Sequence, residues 1–260
     1  MIAERSPSPG LVPGNGPNEE KGSKTLNILA IDTSGPVCGV AVMKDGAIVY
    51  EASAINKMTH SVNLLPMIDT ALQSAGLTVA ELDRIAVVSG PGSFTGVRIG
   101  VSTVKGLAHA HNTPCVAVDA LEAMAAGAGE FTGVICPIQD ARAGQVYGAA
   151  FRAGTPRPER LMDDIPLKLE EYVERIKAFG ERFLFLGDGM PVHKAKLAAL
   201  LGDAAVFAQP QQAFLRPASA AYLASLAEDT VDYLALEPLY LRAPNAALNK
   251  KLTEGLKNGK

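Results

Sequence analysis

Two short stretches of this 260-residue chain carry side chains whose types and spacing could do chemistry. Asp32-Thr33-Ser34 stands where an apolar run, Ile28–Ile31, gives way to Gly35-Pro36. An aspartate beside short hydroxyls and turn amides can cradle phosphate oxygens or hold a hydrated cation. The same groups can instead hydrogen-bond their own turn. Ser89–Gly100 (SGPGSFTGVRIG) is the more unusual stretch, with Gly90, Gly92, Ser93, Thr95 and Gly96 in its loop. It runs from a buried apolar segment through glycine and proline into a helix start, where free amides and the positive end of the helix dipole form an anion seat. It is neither a Walker A loop, since no lysine follows the last glycine, nor the GxGxxG dinucleotide fingerprint. The other use of its glycines is to let helix and strand pack closely. A second aspartate-bearing turn, Asp140-Ala141-Arg142-Ala143-Gly144, joins two apolar runs in the other half of the chain.

Hydrolytic chemistry finds little support. His109 and His111 are two residues apart and point to opposite sides of a helix, and His60 and His193 are isolated, so no HExxH-like metal pair exists. Ser93 misses the GxSxG elbow by one position. Cys38, Cys115 and Cys136 are too far apart for a CxxC pair, and an odd count makes a poor disulfide framework. Such thiols suit a reducing cytoplasm.

The elements that must position these residues follow from composition and period. With 48% hydrophobic and 20% charged residues the chain can bury a sizeable core, and its net charge of −3 argues against a basic nucleic-acid-binding face as the main function. No apolar run approaches the ~18 residues of a membrane span, and no signal-peptide core is present. Residues 1–24 are rich in proline and glycine and are expected to be a disordered tail; 245–260 is a polar tail with an excess of lysine. Between them the spacing predicts strands at Ile28–Ile31, Cys38–Val42 and Ala47–Ala52, joined by tight turns that include Asp45-Gly46. A helix through Leu64–Ala75 stops at Gly76, and a strand at Ile85–Val88, a helix over Val97–Ala110, a strand at Cys115–Val118 and a helix from Leu121 follow. The second half repeats this order: strands at Gly133–Ile138, Gln145–Phe151 and Arg160–Asp164, then helix, strand, helix, strand, and a last helix at Pro217–Leu226. The reading is a duplicated βββαβαβα α/β protein, with lobes at 25–129 and 130–244. The first two helices carry more apolar surface than one sheet can cover. One offers Leu64, Leu65, Ile68 and Leu72; the other has Val97, Val101, Val104 and Ala108 on one side and Ile99, Ser102 and Gly106 on another. A surplus apolar face is suited to a partner.

The motifs ILAIDTS, CGVAV, HSVNLLPMID, SGPGSFTGVRIG and IQDARAGQVYGAAF, in order from Ile28 to Phe151, resemble the bacterial TsaB (YeaZ) family. Gly187-Asp188-Gly189 and the ending Leu239-Tyr240-Leu241-Arg242 fit it more loosely. The resemblance implies a two-lobed actin/Hsp70-like (ASKHA) ATPase fold with a degenerate nucleotide site. It implies a non-catalytic scaffold and activator in forming N6-threonylcarbamoyladenosine at position 37 of ANN-decoding tRNAs. Such a subunit dimerises with the transferase TsaD, is joined by the ATPase TsaE, and can homodimerise. ATP, ADP and metal then belong to the partner subunits, the chain itself has no catalytic residue, metal or cofactor, and tRNA is met only through the complex. Carried over by residue, the first helix contributes His60, Leu64, Leu65, Ile68 and Leu72 to the partner interface. The second contributes Val97, Arg98, Val101, Ser102 and Lys105, with the glycine-rich loop shaping its first turn. Asp32, Thr33 and Ser34 match the first phosphate hairpin of the fold, and Asp140 with Arg142 the second. Two positions depart from the family pattern: Val62 and Gln145 each stand where glutamate is usual. On this reading Leu65→Asp and Val101→Arg should each break pairing and leave the monomer folded. The rivals are an ATP-dependent kinase of the same fold using Asp32 and Asp140, a metallopeptidase, and direct tRNA contact through Lys250, Lys251 and Lys257.

Overall fold

The computed structural model describes residues 25–55 and 59–241. Both predicted tails, with the lysines at 250, 251 and 257, lie outside the described residues, as does Arg242. Strands β1 (Ile28–Asp32), β2 (Cys38–Lys44) and β3 (Ala47–Ala54) form an antiparallel meander. Its second turn is Asp45-Gly46, both at positive φ as a two-residue hairpin of this twist requires. Helix α1 (His60–Ala75) ends on Gly76 at φ 63°, and strand β4 (Arg84–Gly90) lies parallel to β1. Helix α2 (Phe94–His109), strand β5 (Cys115–Asp119) and helix α3 (Ala120–Gly127) complete the first half. The second half has strands β6 (Val134–Arg142), β7 (Gln145–Arg152) and β8 (Glu159–Lys168), helix α4 (Leu169–Ile176) and strand β9 (Phe183–Leu186). Helix α5 (Gly189–Leu201), strand β10 (Ala205–Phe207) and helix α6 (Pro217–Ser225) follow. The two five-stranded sheets run β3-β2-β1-β4-β5 and β8-β7-β6-β9-β10, so the duplication read from element order is also one of sheet topology.

Packing shows where sequence order and spatial lobe part. β1 alternates between two cores: Leu29 and Ile31 face α1 and α2, and Ile28 and Ala30 face the other side. A sheet apolar on both faces needs a helical layer on each. For the first sheet the second layer is α6, from the far end of the chain, and α3 of the first half covers the second sheet. The small residues Ala30, Ala41 and Ala86 let the alanine-rich α6 (Ala220, Ala221, Ala224) come close. The lobe drawn at 130–244 is therefore corrected: α6 and the described residues after it, as far as 241, belong with the first sheet. That returning segment, the strap of residues 227–241, pairs Val231 with Cys115 through two backbone bonds of 2.8 and 2.9 Å. It buries Leu236 in the core beneath α2, and its Leu239 N–H donates to Ser89 O at 2.7 Å.

The three cysteines are all buried and free; burial pushes the Cys38 and Cys115 thiols up to about 11 and Cys136 higher still, which keeps the nucleophilic thiolate scarce. No helix among the described residues is long and apolar enough to cross a membrane.

Candidate functional site

The ends of β1 and β6 face each other across a cleft of about 730 Å³ between the lobes. Ser34, Gly92, Ser93 and Thr95 line it from one side, Gln139, Asp140, Arg142 and Asp188 from the other, and Leu239–Leu241 of the strap closes one edge. The topology thus brings together both aspartate turns and the glycine-rich loop.

How the turns use their polar groups decides what the cleft can hold. Ser34 donates both its N–H (2.8 Å) and its Oγ–H (2.7 Å) to Asp32 Oδ1. The wholly buried Thr33 hydroxyl donates to Gly96 O at 2.7 Å, and Ser34 O accepts from the Ser93 N–H at 2.7 Å. Arg142 N–H donates to Asp140 Oδ1 at 3.0 Å. A phosphate cradle needs inward-facing donors, and here Ser34 N–H and Oγ–H are turned to Asp32 and Arg142 N–H to Asp140. The glycine-rich loop lies directly on the first turn. A Cβ at Gly92 or Gly96 would come closer than 3.0 Å to Ser34 O or Thr33 O, and one at Gly90 equally close to Leu239 O of the strap. Its glycines therefore serve close packing.

Gln139 and Asp188 line the cleft and His193 lies beside Asp140, and sequence reasoning gave none of the three a role there. Gln139 Oε1, Asp188 Oδ1 and His193 Nε2 are buried without a hydrogen-bond partner; His193 Nε2 stands 3.6 Å from Asp140 Oδ1. Burial raises the Asp32 carboxyl to about 6 against its bonds to Ser34, and burial likewise raises Asp188 to about 6. Gln139 lay within a motif already singled out, but nothing in a single sequence sets it apart from its neighbours. His193 sits 53 residues from Asp140 and is brought beside it only by the start of α5. No group of three or more His, Cys, Asp or Glu side chains among the described residues is placed to hold a metal ion.

A second charged cluster joins the lobes. Asp119, which caps α3 by accepting the Glu122 N–H at 2.7 Å, lies against Asp164 and Arg160 of β8. Burial first, then the hydrogen bond and charge of Asp164, push the Asp119 carboxyl from 3.8 to about 8. A carboxyl that binds its proton more tightly when folded contributes stability below the unfolded value and loses it as pH rises through the folded one. Asp32 and Asp188 act in the same direction up to about 6. Asp119→Asn keeps the cap and stays neutral, so the melting temperature of the variant relative to the parent should rise between pH 6 and pH 9. Thermal melts across that range check this; a constant difference would show that Asp119 is ionised throughout.

The predicted partner helices divide sharply. Leu64, Ile68, Leu72, Val97 and Val101 are at most 7% exposed and form the chain's own core, so none can touch a partner. The expectation that Val101→Arg leaves the monomer folded is corrected with them: it would put a charge into a closed apolar interior. Arg98 and Lys105 are taken by the strap. Arg98 Nε–H donates to the Tyr240 hydroxyl at 3.0 Å and its guanidinium lies over Phe94, while Lys105 Nζ donates to Leu234 O at 3.2 Å. His60 is half-buried with its Nε2 2.9 Å from Gly35 O, tying the start of α1 to the cleft turn. Of the ten residues, Leu65 (57% exposed) and Ser102 stand free at the surface. Beside Leu65 is Val62, 53% exposed, and one turn beyond Ser102 is the exposed Gly106.

Comparison with known proteins places this geometry. The profile of a family described as "TsaD: tRNA N6-adenosine threonylcarbamoyltransferase" matches residues 53–256. The Bacillus subtilis "tRNA threonylcarbamoyladenosine biosynthesis protein TsaB" is 35% identical over 221 residues, covering 85% of this chain and 96% of that protein. The Escherichia coli protein of the same description is 36% identical over 129 residues, 49% of this chain and 55% of its own length. A solved structure described as YeaZ from Pseudomonas aeruginosa superposes with a TM-score of 0.72 at 26% identity, over 83% of this chain and all of that one.

Proposed function

The chain belongs to the TsaB (YeaZ) family, and on that premise we propose that it serves the formation of threonylcarbamoyladenosine in tRNA as a non-catalytic scaffold and activator subunit. Its partner in this reading is a TsaD-type transferase subunit, with the ATPase TsaE joining the pair in the cytoplasm. Nucleotide and metal belong to those subunits, tRNA is met through the complex, and a homodimer forms when the partner is missing. The observation that carries the reading is the outer surface of two helices packed on each other, where Val62 and Leu65 of α1 and Ser102 and Gly106 of α2 are exposed. Exposed apolar surface next to small residues lets a second helix approach closely. The aspartate turns favour the non-catalytic part over the kinase rival, because Ser34 N–H, Ser34 Oγ–H and Arg142 N–H already have aspartate acceptors.

Activation then works through populations. A subunit that binds one conformation of its partner raises that conformation by its differential affinity; moving a 1:99 equilibrium to 99:1 takes about 10⁴-fold. An interface able to do this buries on the order of 1,000 Å² or more. The test is gel filtration of the chain mixed with a TsaD-type subunit, beside MgATP turnover by the chain alone. A peak ahead of either component with no turnover is expected. Turnover by the isolated chain, or no complex at micromolar concentration, would overturn the reading.

A further inference from the structure

We infer that the strap, and Leu234 at its tip, is a third element of the docking face, so that the partner subunit meets α1, α2 and the strap together. The inference rests on the reading above and deepens it. Leu234 is 72% exposed, yet its backbone is closely held. Asp232 Oδ1 accepts the N–H groups of Leu234 (2.7 Å) and Ala235 (2.9 Å), and Leu236 N–H donates to Asp232 O at 3.1 Å. Leu236 itself is 1% exposed, and Lys105 reaches across to the Leu234 carbonyl. A large apolar side chain held in water by a locked turn has already lost the backbone entropy that association would otherwise cost.

Position agrees with that reading. At 3.6 residues per turn, Arg98, Lys105 and His109 fall within about 40° of one another on α2. These three touch the strap, through Tyr240, Leu234 and Tyr233. Ser102 and Gly106 follow at about 40–80° further round, away from the buried line of Val97, Val101, Val104 and Ala108. The free face of α2 is therefore low and floored by small residues, with the strap along one flank, and α1 packs on the same helix. Leu234 on the strap and Leu65 on α1 are both apolar and exposed. The occupant that fits is an apolar helix of a subunit of the same fold, laid along α2 against Leu234. Arg98 and Lys105 act as clamps that hold the strap in place; they are positioning residues for the face.

The experiment measures binding of the full chain to the TsaD-type subunit by calorimetry for the parent, Leu234→Asp, Asp232→Ala and Leu65→Asp, with a thermal melt of each. Leu234→Asp is expected to weaken binding at least about tenfold, as loss of a central contact does, with little change in melting temperature. Asp232→Ala, which keeps the leucine and frees its turn, should weaken it several-fold. If Leu234→Asp binds as the parent does and Leu65→Asp does not, the strap lies outside the interface and the family reading stands. If neither substitution alters binding, the docking face itself is misplaced and both inferences fail.

Discussion

Leu65→Asp is expected to weaken association with the TsaD-type subunit by about a hundredfold or more, while the monomer melts within a degree or two of the parent. The leucine is 57% exposed in the free chain, so its replacement removes little intramolecular contact, and substitutions at such sites usually stay within about 0.5 kcal/mol. In the complex the same position would bury a carboxylate against an apolar helix, with Arg98 and Lys105 of α2 already held by the strap. Truncating a central contact commonly costs about 2 kcal/mol or more, and an unpaired buried charge adds to it, which takes the total near the 2.7 kcal/mol of a hundredfold change. Calorimetric titration and a thermal melt on one preparation check both halves. Equal loss of binding and of melting temperature would mean that Leu65 supports the fold and says nothing about the face.

Val101 shows why that choice of residue needed the structure. Leu64, Leu65, Ile68 and Leu72 are one apolar series in the sequence, and so are Val97, Val101, Val104 and Ala108. Periodicity finds such stripes, but does not say which is turned to the sheet. In the folded chain Val101 is turned inward at 3% exposure and Ser102 stands outside. An arginine at 101 is expected to unfold the monomer and so to report nothing about pairing.

What was legible from sequence had local causes. Strand, turn and helix order came from hairpin residues such as Asp45-Gly46, from the stop at Gly76, and from short β-branched runs, so the duplicated βββαβαβα order could be written down in advance. The exchange of α3 and α6 between sheets could not. It depends on which alanine-rich helix meets Ala30, Ala41 and Ala86, a contact between residues more than 130 positions apart. The strap was hidden for a related reason. Residues 231–241 have neither helical nor strand period, and their order comes from Cys115, Ser89, Arg98 and Lys105, each more than 110 positions away. The aspartate turns were legible as turns. Whether Ser34 N–H pointed to a phosphate or to Asp32 is a matter of a single hydrogen bond, and composition does not determine it.

Three glycines of α2 show how one substitution takes opposite signs in one helix. Gly96 presses on the first turn: an added Cβ comes closer than 3.0 Å to the backbone oxygen of Thr33, and Gly96 O accepts the Thr33 hydroxyl. Gly100, a turn later, meets Thr33 Oγ1 at 2.6 Å. Gly106 meets nothing within 4 Å. In Gly96→Ala the intrinsic helical gain of about 1 kcal/mol opposes overpacking against backbone and the loss of a buried hydrogen bond. The clash wins, because neither the hairpin nor the helix can yield without lifting α2 from β1, and a net loss of about 2–3 kcal/mol should lower the melting temperature by about 5–10 °C. In Gly106→Ala nothing opposes the helical gain, and the monomer should melt slightly higher, by about 2 °C. Yet the new methyl stands on the low face where a partner helix would lie, so the more stable variant should bind the TsaD-type subunit less tightly. Melts and titrations of the two variants separate these effects. A Gly106→Ala protein that binds as tightly as the parent would place the partner elsewhere, and a Gly96→Ala protein as stable as the parent would show that the loop does not press on the Asp32 turn.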